Sequence, residues 1–537
     1  MNNRRLLQAE RRTFAVPHAG GLRVGIGYAN TYKVGMSSLA YQWAVELAAA
    51  TDDVGIERFF ADPELSPGRT IETHTALGDL DVLAWSCSFE LDAANLLATL
   101  DASGIPRRSS ERTSRHPLLV MGGAVASINP LPVAPAIDVF VLGSAELLWP
   151  PLLRLIQEIP NRDRLLLELA DRDGFFVPRH HLEVGGRPQR VRRIEKRDVH
   201  MADPRMVPVS HVVTPHSEYS NRGLIEMSRG CPEKCRYCWV SYNYGRLRCY
   251  PKDAILDRVE RLHRITDRVG FVATAVGDHP DLAEILEECR RREIDVALSS
   301  LRIPAMREEV LKPLAESGAR SITIAPETGT DELRRKLNKP ITNASILDAV
   351  DTALRCGIEN LKMYFIIGLP GETDDDVKGI AGLLRQTQEI LVSRGRDRGR
   401  VGTISAGFNV LVPKPYTPYA REAMLDRKEA RRRMKLVENG VRDVSNLRID
   451  RPGYREAVWQ AFLSRGDVTA FEGLATAASG CSLGQVLNTH RVAIEASALH
   501  HVESDPAWQF VTSAPVRAAS RRKPPVPKSN AQEWPSS

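Results

Sequence analysis

From residue 224 to residue 412, short β-branched runs alternate with helical patterns, and no other feature limits the fold as tightly. Compact runs rich in Val, Ile and Phe read as strands, and apolar residues recurring at i, i+3 and i+4 read as helices. The first run is Leu224-Ile225-Glu226-Met227. Strands are then expected at 271–275, 295–299, 321–325 and 360–367, with a last apolar run at 408–412. Helices are expected at 253–265, 282–291, 305–316, from 331 onward, and at 374–391. This makes six parallel strands with five intervening helical regions. With right-handed crossovers, such a succession closes or partly closes into a barrel whose ligands gather at the carboxyl ends of the strands.

The first strand end carries Cys231-Pro-Glu-Lys-Cys235-Arg-Tyr-Cys238, three thiols at x3 and x2 spacing on one short loop after Arg229-Gly230. Thiolates are the usual ligands of iron–sulfur clusters, which normally take four. Three from one loop leave one iron open to a small molecule, as an open metal site does elsewhere. The same residues allow a structural zinc site with Cys249 as fourth ligand. Zinc ribbons usually show two separated Cys-x2-Cys pairs, and here there is one tight triplet.

The spacing Cys-x3-Cys-x-Tyr-Cys resembles the signature of the radical S-adenosylmethionine (SAM) superfamily. The resemblance implies a [4Fe–4S] cluster on Cys231, Cys235 and Cys238 whose open iron chelates SAM. An electron then splits the sulfonium to a 5′-deoxyadenosyl radical, so a reductant such as flavodoxin or ferredoxin is implied. The other strand ends fit SAM, which needs carboxylates for its polar groups and glycines where adenine meets backbone. Gly277-Asp278 stands where the family has Gly-Gly-Glu, with one glycine missing and Asp for Glu. Glu327, in Pro-Glu-Thr-Gly-Thr, is similar to the ribose-contacting glutamate of subgroups with a Glu-Ser/Thr-Gly turn. The stretch 364–372 resembles their strand-five motif. SAM contacts are therefore expected from Tyr237, Gly277, Asp278, Ser299, Arg302, Glu327 and Gly368.

The N-terminal third reads as a separate doubly wound unit, with strands at 22–26, 55–60, 82–86, 118–121 and 139–142 and helices such as 39–50 and 91–100. Small residues at its strand ends, Ser86, Ser88, Gly122, Gly123 and Gly143, would let a large ligand lie against the backbone at the sheet's carboxyl edge. The pattern resembles the cobalamin-binding domain that precedes the barrel in many radical SAM enzymes, and Asn30-Thr31-Tyr32-Lys33-Val34-Gly35-Met36-Ser37-Ser38 is similar to an uncharacterised branch of that group. The same five residues are the cobalamin contacts this implies. The family's Asp-x-His-x-x-Gly is absent, the loop reading Asn30-Thr31-Tyr32-Lys33-Val34-Gly35, so any cobalamin would lack a histidine ligand from this loop. A Rossmann-like domain without a ligand is the plain alternative.

The expected fold class is α/β: a Rossmann-like, cobalamin-binding-like domain (1–160), a linker with a β-hairpin around Gly185-Gly186 (161–218), and a partial (β/α)6 barrel (219–425). A small, mainly helical C-terminal region (426–514) and a disordered tail rich in Pro, Ser, Arg and Lys (515–537) follow. A net charge of +6 over 537 residues makes no case for nucleic acid. No apolar run is long enough to span a membrane, and the N-terminus lacks an apolar signal region, which reads as cytoplasmic. Eight cysteines do not form a disulfide framework; Cys87, Cys289 and Cys356 read as core, and Cys249 and Cys481 stay unassigned. The leading expectation is cobalamin-dependent methyl transfer to an unactivated carbon of a small molecule or peptide. Rivals are radical ring closure or rearrangement, tRNA methylthiolation, and a non-catalytic metal-binding protein.

Overall fold

A computed structural model describes residues 3–183, 188–194, 201–503 and 506–513. The N-terminal unit is one six-stranded sheet. Its strands are β1 (Leu22–Tyr28), β2 (Val54–Phe60), β3 (Val82–Ser86), β4 (Leu118–Gly122), β5 (Val139–Val141) and β6 (Phe175–Phe176). They lie in the order β2-β1-β3-β4-β5-β6, parallel except for β6. β1 to β4 are almost wholly buried, as expected of strands covered by helices on both faces. The order reverses between β1 and β3, and such a switch point opens a crevice at the carboxyl edge. Helices α1 (Leu39–Ala49) and α2 (Ala145–Glu158) cover one face through Trp43, Val45, Leu152 and Leu153.

Of the hairpin expected over 175–192, an antiparallel bridge between Leu182 and Pro188 and a bond from Gln189 N to His181 O (2.7 Å) are present, while its outer ends pair elsewhere. Phe175–Phe176 pairs antiparallel with β5, whereas β7 (Val191–Arg193) pairs in parallel with Val511–Ser513. Both segments find longer-range partners that bury them, which local alternation cannot reveal. Gly185 and Gly186 lie outside the described residues, as does the 515–537 tail.

The second unit contains the six expected parallel strands, in two sheets rather than one. β8 (Gly223–Arg229), β10 (Arg268–Ala273) and β11 (Asp295–Leu298) form the first, with the short antiparallel β9 (Arg248–Cys249) on its edge. β12 (Ser321–Glu327), β13 (Asn360–Ile367), β14 (Ile404–Val410) and β15 (Leu447–Asp450) form the second. A bond from Leu301 N to Thr323 O (3.1 Å) crosses the seam beside β11 and β12. β15 was not expected, and it carries the parallel sheet beyond residue 425 into the segment read as mainly helical. Its four residues alternate between half-buried and exposed, too short and polar a run to stand out.

The C-terminal helices Tyr454–Arg465 and Phe471–Ala478 turn back onto the N-terminal unit. Trp459, Phe462, Phe471 and Leu474 share one apolar cluster with Leu96, Leu97 and Leu100, and Cys481 packs at its border. Asn129 Nδ2 clamps the backbone there, donating to Leu463 O (3.2 Å) and Gly466 O (2.7 Å). Among the described residues no helix is long and apolar enough to cross a membrane.

Candidate active site

β8 ends in a turn that only glycine can make. Gly230 has φ +83°, and a Cβ there would lie 2.2 Å from the Arg246 carbonyl oxygen. The three cysteines follow on one loop. It is tied down by bonds from Cys231 N to Gly245 O (3.1 Å) and from Arg236 N to Leu337 O (3.0 Å), and by Asn338 Nδ2 to Lys234 O (2.9 Å). Cys235 is buried and its neighbours are half-buried. Burial pushes the Cys235 thiol up to about 11 against the pull of Lys339, and raises Cys231 against that of Arg302. Metal binding must therefore displace protons. Cys249 sits in β9 opposite Ser228, where burial lifts its thiol to about 11. Among the described residues, no three Cys, His, Asp or Glu side chains are placed to hold a metal ion.

Glu327 ends β12 with φ +66°, a strained conformation for a non-glycine residue, and is buried. Its Oε1 accepts from Tyr237 of the cysteine loop (2.8 Å) and from Lys339 Nζ (2.7 Å). Burial, with the Glu327 charge beside it, pushes the Tyr237 phenol well above its ordinary value, so it remains a donor. Arg334, fully buried, braces this strand end by donating to Pro326 O at 3.0 Å and to Thr328 O.

Across the site, Arg302 bridges two carboxylates, Asp278 at 2.6 Å and Glu233 of the cysteine loop at 2.5 Å. Asp278 Oδ2 is buried with no hydrogen-bond partner among the described residues. Such an acceptor costs free energy unless a ligand donor meets it. Gly277 is small for packing reasons, because a Cβ would fall 2.4 Å from that of Ala305. Ser299 donates to Ala273 O at 3.2 Å. Gly368 has φ +84° and donates its N–H to Glu372 (2.8 Å), whose other partner is Arg433. His279 is buried and bonded to Tyr250 O, a turn residue.

All five small residues of the N-terminal edge line one cavity of about 410 Å³, whose opposite wall comes from Glu226, Ser228, Arg229 and Thr274. They are small for different reasons. Gly123 (φ +98°) and Gly143 (φ +139°) are required by the chain itself, since a Cβ would lie 2.5 Å from Cys87 O and 1.8 Å from Ile194 O. At Gly122 a Cβ would meet nothing closer than Val141 Cβ at 4.0 Å, so this position alone of the three glycines leaves free space. Ser88 is engaged by the Tyr28 phenol. Ser228 Oγ, on the barrel side, is buried and has no partner among the described residues. Among the described residues no histidine lines the cavity. The strand-one loop is a short helix, Tyr32–Gly35, with Tyr32 OH bonded to Glu10 at 2.6 Å.

The two walls are joined by a buried ion pair. Arg229, two residues before Cys231, donates to Glu146 (3.0 Å), Ser144 (3.1 Å) and Glu226 (2.9 Å), and Glu146 also accepts from Trp43 Nε1 (2.9 Å). Arg229, Glu146, Glu233 and Lys339 were not singled out from the sequence. A cation ending an apolar strand beside the cysteine loop was a legible signal for Arg229. Lys339 gave none, since it meets Glu327 only through the turn after the short helix Asp331–Lys336.

Comparison with known proteins agrees with this geometry. Residues 225–384 match the radical SAM superfamily, and residues 43–178 match the N-terminal domain of radical SAM proteins. This chain belongs to the radical SAM superfamily and is a radical SAM enzyme. An uncharacterized protein of Methanocaldococcus jannaschii is 23% identical over 448 residues, 83% of this chain and 88% of its own length. An uncharacterized methyltransferase of Pyrococcus horikoshii is 23% identical over 54% of this chain and 63% of its own, so under two thirds of that relative is spanned. The apo structure of the cobalamin-dependent SAM radical enzyme OxsB superposes with a TM-score of 0.51 at 14% identity, over 88% of this chain and 72% of OxsB. That likeness establishes the shared fold.

Proposed function

We propose that this enzyme cleaves SAM reductively at a [4Fe–4S] cluster and transfers a methyl group from cobalamin to an unactivated carbon. The observation that carries this reading is the cavity between the two domains, walled on one side by the N-terminal carboxyl edge and on the other by the strand leading into the cysteine loop. In this reading residues 1–160 are the cobalamin domain and 219–425, extended by β15, the radical domain. The name of the Pyrococcus relative and the cobalamin dependence of OxsB are further support.

When bound, the cluster and SAM supply the hydrogen-abstracting radical, and the corrinoid supplies the methyl group. Cys231, Cys235 and Cys238 would hold the cluster once their side chains converge from the one loop that carries them. Asp278 offers its unpartnered oxygen to a cationic amine, while Arg302 keeps that carboxylate oriented. Glu327 would accept from ribose hydroxyls, and the Lys339 ammonium bonded to its Oε1 holds the carboxylate in place. Gly122, Ser86, Ser127 and Ser228 offer space and hydroxyls to a corrinoid's amide-rich periphery. A corrinoid is larger than 410 Å³, so the reading also needs the open space between the two edges. Flavodoxin or ferredoxin in the cytoplasm would supply the electron.

The test is anaerobic reconstitution with iron, sulfide and hydroxocobalamin, followed by dithionite and SAM. Bound iron, sulfide and corrinoid, with release of 5′-deoxyadenosine, are expected. S-adenosylhomocysteine should appear when a substrate is present. Protein without corrinoid would remove the methyl-transfer part and leave the radical part standing. Colourless protein with stoichiometric zinc would remove both.

A further inference from the structure

The strand β13 presents two unlike faces. Leu361, Met363, Phe365 and Ile367 are at most 1% exposed and pack outward against the helices. Successive side chains alternate across a strand, so Lys362, Tyr364 and Ile366 face the barrel lumen. Ile366 packs with Tyr237 of the cysteine loop against Leu333, Leu337, Leu369, Leu411 and Tyr419. Tyr364 therefore stands one lumen position below the reaction centre, roughly 7 Å along the strand.

Tyr364 is 43% exposed, although it lies in the middle of a strand whose other face is core. Its neighbour in register is Gly407 of β14, where a Cβ would lie 2.8 Å from two carbons of the ring. The phenol thus lies across a glycine, its edge on backbone and a face open to the lumen. Lys362 and Asn409 are exposed on the same side, at the register positions below and above. Neither these two side chains nor the Tyr364 hydroxyl has a hydrogen bond or ion pair among the described residues. A small barrel normally fills its lumen with side chains. Here the lumen face of the second sheet keeps an aromatic platform, an unpaired cation and an amide free.

We infer that Tyr364, Lys362 and Asn409 form the substrate subsite, and that it selects a small molecule with a flat, unsaturated body and an anionic group. The flat part stacks on Tyr364, the anion reaches Lys362, and Asn409 fixes the end nearest the cysteine loop. This deepens the radical reading above by naming the substrate class, and it rests on that reading for its role in turnover. A ring offers an open face to flat ligands whatever their hydrogen-bonding pattern, whereas the Lys362 ammonium requires negative charge.

The probes are indole-3-acetate and its neutral isostere indole-3-acetamide, titrated anaerobically against the reconstituted full-length protein by ligand-observed NMR. The acetate should bind more tightly. Lys362→Met should weaken the acetate by about tenfold and leave the amide unchanged, as expected for loss of one hydrogen bond to a charged group. Tyr364→Ala should weaken both probes by about tenfold, the loss expected of one stacked ring, while Tyr364→Phe keeps wild-type affinity. Equal binding of both probes, a Tyr364→Ala protein that binds like wild type, or no saturable binding by either probe would overturn the inference. Iron content and 5′-deoxyadenosine release are measured on the same samples. Their loss with the binding pattern intact would bring down the radical reading and leave the subsite standing.

Discussion

The carboxyl edges of the two units were both marked by glycines and short polar residues, yet the structure treats them differently. On the barrel edge the polar residues are paired in advance: Tyr237 and Lys339 on Glu327, Arg302 on Asp278 and Glu233, Arg433 on Glu372. On the N-terminal edge, Gly123 and Gly143 serve the backbone, and Gly122 opens onto the cavity. A small residue at a strand end is thus weaker evidence for a ligand than a carboxylate held there with one oxygen free. A glycine is equally well explained by chain geometry, while a buried orphan acceptor carries a cost that the fold alone does not offset.

The cysteine loop gives the sharpest test of that contrast. Replacing Cys231, Cys235 or Cys238 singly by Ala should abolish 5′-deoxyadenosine release and remove most iron, because three protein ligands are already one short of the usual four. Cys249→Ala should keep both, since its place is in the β8–β9 ladder. Cluster loss in Cys249→Ala alone, measured by iron content and visible absorption, would reverse the assignment.

The next effect concerns the anchoring of the N-terminal edge. Burial would raise the Glu10 carboxyl, but Arg58, Tyr32 and Arg12 together hold it down to about 2 from 4.5. Its folded pKa is depressed, so its contribution to stability is present above pH 4.5 and lost as pH falls toward 2. That contribution is about 3 kcal/mol. Glu10→Gln should lower the urea midpoint at pH 7 and flatten the acid limb of the stability profile. An unchanged acid limb would show that Glu10 does not hold the strand-one loop.

Glu327→Ala should weaken SAM binding by about tenfold to a hundredfold, the equivalent of a charged hydrogen bond of roughly 1.5–3 kcal/mol, with the cluster intact. Equilibrium dialysis of SAM measures it, and unchanged affinity would assign the Glu327–Tyr237 pair to structure alone.

The smallest effects separate the glycines. Gly123→Ala should cost about 1–3 kcal/mol of stability because its φ belongs to glycine, and Gly122→Ala should stay within about 0.5 kcal/mol. Gly122→Trp should then exclude corrinoid while the melting temperature holds. Full corrinoid retention in that variant would place the cobalamin elsewhere. In corrinoid-loaded protein, electron paramagnetic resonance of the Co(II) form should show no hyperfine splitting from a protein imidazole nitrogen.

Much of this was legible in the linear chain, because strand and helix periods are local and the triplet's spacing is a property of one loop. The residues alone set the α/β class, the βα succession, the doubly wound N-terminal sheet, the glycine turn before Cys231 and the missing histidine after β1. The tertiary structure decided what depends on distant partners. It sent Phe175–Phe176 to β5 and Val191–Arg193 to Val511–Ser513, split the barrel strands into two sheets, and added β15. It brought Lys339 and Tyr237 to Glu327, joined Arg229 to Glu146, and left Tyr364 bare above Gly407. Those pairings join residues from about a dozen to more than three hundred positions apart, and only the folded chain fixes which polar groups meet and which are left for a ligand.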